Sequence, residues 1–180
     1  MEVKMARDLS EALNAVEMTY GQVKQIADDM LSPTFGPIDS LVSELSGNIE
    51  RLSVDMLRDY LLRVQLSAYS LSELKDRAGI KAECAEAVRK EAYATSYLKQ
   101  DGTAGAKDAN ATLAIAENIV VSCLYELVAS LVKTKLDSLH RLVDALKSVL
   151  MSKMQEAKFM NIGANNEIGP TTNGRITLNE

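Results

Sequence analysis

Apolar residues recur at three- and four-residue steps along most of this chain, which is the spacing of one face of a helix. Leu9, Leu13, Val16, Tyr20, Val23, Ile26 or Ala27 and Met30 form a first stripe and predict a helix over 5–31. Ser32-Pro33-Thr34-Phe35-Gly36-Pro37 is expected to stop it, since proline has no amide proton and clashes with the preceding turn. A second helix is expected to begin near Pro37, with Ile38, Leu41, Val42, Leu45, Ile49 and Leu52 on its apolar side. Ser53 is a suitable N-cap for the next one.

Two long proline-free stretches follow, Val54 to Gln100 and Asp108 to Lys158, each about 70 Å long if helical. Leu57, Leu61, Val64, Ala68 and Leu71 lead into Ala78, Ala82, Ala85 and Ala92 in the first. The second begins with Ala109, Ala111, Ala114 and Ala116 and ends with Leu136, Leu139, Val143, Leu146 and Leu150. Alanines on both sides of the break Asp101-Gly102-Thr103-Ala104-Gly105 predict close helix packing there. Gly102 and Gly105 are expected to supply the conformations a tight reversal needs. The expected fold is all-α: an acidic two-helix arm over 1–52, a long antiparallel, coiled-coil-like helical hairpin over 53–160 with its turn at 101–107, and an extended polar tail over 161–180. Asn173-Gly174 in the tail is a weak strand-turn signal.

Val120, Val121, Val128, Val132, Leu142 and Val149 fall beside the stripe that faces one partner helix. Two helices cannot cover so wide an apolar surface, and a large exposed patch is unusual in a soluble protein. The surplus is expected to meet residues 1–52, other subunits, or both. Val128, Val132, Leu142 and Val149 are the candidate oligomer interface.

Charge refines this picture. Residues 1–53 carry four basic and nine acidic side chains, whereas 54–100 are nearly neutral, so the arm is acidic and the hairpin is not. Residues 131–160 have six basic against three acidic side chains, a bias that fits a solvated face better than a nucleic-acid site. No segment resembles a secretory signal, and Glu117, Asn118 and Glu126 interrupt the most apolar stretch, so a soluble, cytoplasmic protein is expected. Cys84 and Cys123 are expected to be reduced and buried.

Little in the sequence points to a reaction. The single histidine, His140, shares a helix face with Asp137 and Asp144, which suits a surface charge ladder better than a metal site. There is no phosphate-binding glycine loop, nucleophile elbow or Cys-x-x-Cys. No enzyme activity, cofactor, metal or small-molecule substrate is expected. The best local candidate for contact with single-stranded nucleic acid is Tyr93 and Tyr97 among Arg89, Lys90 and Lys99, since aromatic rings stack on bases while cations hold phosphates.

The stretch Leu71 to Lys158 contains Lys90-Glu91-Ala92-Tyr93-Ala94, a glycine-containing break, an alanine-rich helix start and His140-Arg141-Leu142-Val143 with Lys147-Ser148 near its end. In this pattern it resembles the UvsY-type recombination mediators among the small helical proteins of bacteriophages. The resemblance covers roughly half the chain. It implies a ring-forming protein of an infected bacterial cytoplasm that binds single-stranded DNA and helps load a recombinase. Arg89 and Lys90, then Arg141 and Lys147, would be the binding residues. The acidic arm, the polar tail and the net charge of −5 depart from that pattern. Two alternatives remain: a structural or assembly component of a virion or other large complex, and an inhibitor that docks its acidic arm on a host protein.

Overall fold

In the computed structural model residues 2–166 are described, with side chains for 14–159. Every regular element among them is helical: α1 (Glu2–Ser46), a single 3-10 turn (Ile49–Arg51), α2 (Val54–Lys99), α3 (Ala104–Ala114) and α4 (Ala116–Asn166). The fold is all-α with long helices. α4 continues to Asn166, beyond the expected start of the tail, and the Asn173-Gly174 signal lies outside the described residues.

Local chemistry sets the boundaries. The Ser53 hydroxyl caps α2 by accepting from the Met56 amide at 3.2 Å, and Thr103 caps α3 by accepting from Ala106 at 3.4 Å. Gly102, at φ +110°, turns the chain between them. Gly105 does not share that role, because it already lies in the first turn of α3 with ordinary backbone angles. The expected single helix from Asp108 to Lys158 is broken at Ile115, where α3 and α4 meet at 61°. Neither proline nor glycine causes this. Ile115 is buried, and its amide bonds back to Thr112 at 3.4 Å, tightening the last turn of α3.

The largest departure from the sequence expectation is α1. Ser32–Pro37 does not end a helix; Pro33 and Pro37 both lie inside a continuous one. Each removes an intrahelical bond at a cost of about 3 kcal/mol, leaving the carbonyls of Asp29 and Pro33 without a donor. Both prolines are exposed, so water can serve those carbonyls. Leu31, Ile38, Leu41 and Leu45 are buried on the opposite side and stabilise by roughly 1.5–3 kcal/mol each. The total is at least as large as the cost of the two prolines, and tertiary packing overrides local propensity.

The three long helices share one core. Leu57, Val64, Ala68, Leu71 and Ala78 of α2 meet Val128, Val132, Leu136, Leu139, Val143 and Leu146 of α4, with Ala27, Leu31, Ile38, Leu41 and Leu45 of α1 laid over them. Hydrogen bonds from Tyr93 to Asp108 and from Ser122 to Glu86 pair α2 with α3 and α4 in opposite directions. At the other end Lys153 donates to the carbonyls of Glu50 and Leu52 at 2.6 and 2.7 Å, tying α4 to the turn before α2. α1 runs parallel to α4: Lys135 pairs with Asp39 and sits 5.3 Å from the centre of the Phe35 ring. Glu44 reaches α2, accepting from Tyr60 and pairing with Arg63.

In this packing the candidate interface residues have intrachain neighbours. Val128 and Val132 are buried in the chain's own core, and Leu142 and Val149 pack half-buried against it. The wide apolar surface of α4 exists because α4 has two intrachain neighbours, α1 and α2. Val120 and Val121, nearer the turn, remain exposed. No single helix among the described residues is long and apolar enough to cross a membrane; α3 and α4 reach that threshold only when joined across their bend.

Candidate interaction surfaces

Four of the seven sequence-selected contact residues already have intrachain partners. Arg89, on α2, is held by Glu86 one turn earlier through two 2.7 Å hydrogen bonds, Nε to Oε2 and one terminal nitrogen to Oε1. Lys90 approaches the same carboxylate at 3.3 Å. From α4, the buried Ser122 hydroxyl donates to Glu86 at 3.3 Å and lies 3.5 Å from Glu126. The Arg89 guanidinium, followed by Lys90, depresses the Glu86 carboxyl from its ordinary 4.5 to about 2, and Glu86 in turn raises Arg89. Two cations and two carboxylates therefore form a closed polar node between the helices, which leaves little positive charge for a phosphate.

Tyr93 donates its hydroxyl to Asp108 of α3, and that bond raises the phenol above its ordinary 10. Tyr97 lies one turn further on, with ring centres 6.1 Å apart and planes tilted by 30°. With Ala104 and Gly105 they line a shallow depression at the turn. Lys99 is exposed beside it. Arg141 and Lys147 do not join this cluster. Ser122 marks the level of Arg89 on α4, and Arg141 lies 19 positions beyond it, about 28 Å along the helix. Lys147 is paired with Asp144 at 3.8 Å. His140 is exposed, and no group of three or more metal-ligating side chains occurs among the described residues.

The most apolar surface features were not picked out as sites in the sequence. Met30 and Leu31 of α1 line a niche together with Leu74, Arg77, Ala78, Lys81, Tyr125 and Val128. Further toward its N-terminus α1 keeps Ala27 in the shared core, and Ala15, Val16, Thr19, Tyr20 and Val23 line an apolar cleft of about 520 Å³ against Cys123 and Leu127 of α4. The space between α2 and α4 continues as an open groove of about 320 Å³, walled by Ile80, Cys84, Ala85 and Val88 on one side and Asn118, Val121 and Tyr125 on the other. Lys81 and Tyr125 belong to both niche and groove, so the groove is an extension of the α1 seat.

Ile80, Val88 and Val121 are 62%, 54% and 46% exposed. Cys84 and Cys123, expected to be buried, are both free and exposed, one in the groove and the other in the cleft. The off-stripe position of Val121 was the only sequence sign of this surface. Its walls come from two helices, α2 and α4, that are far apart in sequence. Compared with models of protein families, with curated proteins and with solved structures, the chain matches none.

Proposed function

We propose that the protein is a non-enzymatic, self-associating helical assembly component that acts through apolar helix faces. The open groove between α2 and α4 carries this reading, because it extends a seat that a helix already fills lower in the same chain. Val16 and Tyr20 add a second exposed apolar surface on α1. Apolar surface of this kind, rimmed by polar groups, is characteristic of protein contacts. The ionisable groups with shifted affinities, Glu86, Arg89 and Tyr93, are each engaged in a structural pair. Sedimentation velocity at micromolar concentration tests the reading. A species larger than the 19.6 kDa chain is expected, and a single species of that mass overturns it.

A second reading, contact with single-stranded DNA and through it a role beside a recombinase, rests on the Tyr93–Tyr97 ring pair and Lys99 at the turn. Asp108 and Glu86 oppose phosphate there, so ring stacking would have to supply the affinity. A fluorescence titration with a labelled oligonucleotide decides it. If Tyr97 stacks on a base, Tyr97→Ala weakens binding by about 1–3 kcal/mol. Absence of binding at micromolar protein ends this reading.

A further inference from the structure

We infer that the groove formed by Ile80, Cys84, Val88, Val121 and Tyr125 receives the α1 segment around Val16–Val23 of a second copy of this chain. The inference rests on the self-association proposed above and names its contact. Continuity is the first argument. In one chain, Ala27 and Leu31 of α1 pack in the core shared with α2 and α4, and the groove adjoins the cavity beside Leu31 through the shared Lys81 and Tyr125.

Length is the second argument. Ile80 to Val88 extends about 12 Å along α2, and Val16 to Val23 about 11 Å along α1. Val16, Tyr20 and Val23 form an i, i+4, i+7 stripe, the arrangement with which a helix enters a groove. Within their own chain Val16 and Tyr20 are 64% and 52% exposed, whereas Val23 is buried, so Val16 and Tyr20 are the two that present apolar surface to a neighbour.

Charge is the third. Lys81 is the one charged side chain lining the groove, which no carboxylate lines, and Arg77 stands in the adjoining cavity. Residues 14–31 of α1 carry Glu17, Asp28 and Asp29 against Lys24.

Cross-linking between two differently marked chains tests the inference. One chain carries Thr19→Cys, Cys84→Ser and Cys123→Ser, which leaves the Val16–Tyr20–Val23 stripe intact; the other carries Cys123→Ser and keeps Cys84. A short bismaleimide should join the new α1 thiol to Cys84 as the main product. Sedimentation of the same mixture is recorded alongside. Oligomers that yield no such product, or only links between like positions, overturn the α1 contact while leaving self-association standing. A monomeric mixture overturns both. As a second measurement, Val121→Glu places a charge in the groove and should raise the self-dissociation constant at least tenfold with helical content unchanged. An unaltered constant in a folded variant overturns the groove as the site.

Discussion

Gly102 and Gly105 lie three residues apart and should respond oppositely to the same substitution. At φ +110° Gly102 occupies backbone space that an L side chain rarely adopts, so Gly102→Ala is expected to destabilise by about 1 kcal/mol or more. Gly105 is helical, and a Cβ there meets nothing within 4 Å, so Gly105→Ala should stabilise by about 0.4–1 kcal/mol. Urea midpoints of the two single variants check the contrast. Glu86 offers a test in pH. Its folded-state value of about 2 lies below the ordinary 4.5, so its contribution is fully present above the higher value and is lost as pH falls through the lower one. The difference in denaturation midpoint between wild type and Glu86→Gln should therefore shrink between about pH 5 and pH 2.

Among the elements, Lys153 reaches from α4 to two carbonyls of the turn before α2. Lys153→Met keeps the apolar stem and removes the donors, and should cost about 1.5–3 kcal/mol in chemical denaturation, the range for hydrogen bonds to a charged group. The elements themselves were legible in the sequence to different degrees. Ser53 and the reversal at Gly102 could be read directly, because capping and positive φ are local requirements. The continuity of α1 through Pro33 and Pro37 could not, because it depends on Leu31 and Ile38 being buried by α2 and α4, which are distant in sequence. The break at Ile115 carries neither proline nor glycine to announce it. The ring pair at Tyr93 and Tyr97 was visible from spacing, whereas the Glu86–Ser122 bond that spans two helices and closes the polar node around Arg89 was not.

At the level of the whole molecule, the placement of Val132 changes what a charge there should do. It is fully buried between the helices of one chain, so Val132→Glu should unfold the protein rather than merely divide an oligomer. A loss of several kcal/mol is expected, or insoluble protein, because an unpaired buried charge is left without solvent. Thermal unfolding by circular dichroism checks this, and the effect should be independent of protein concentration. Val121→Glu makes the useful comparison, since its position is exposed and its expected effect appears only in the association constant.

The link from Lys153 to Leu52 also bears on how the chain is made. The two residues are 101 positions apart, and the α4 core residues that cover Leu41 and Leu45 are made almost as late as Lys153. At ribosomal speeds of ~5–20 residues per second, α1 leaves the exit tunnel roughly 5–20 s before its covering helix is complete. During that interval the apolar stripe of α1 has α2 but not α4 to pack against. On a polysome, where neighbouring ribosomes carry copies at successive stages, the first surface of the right shape that a nascent α1 meets can belong to an older sister chain.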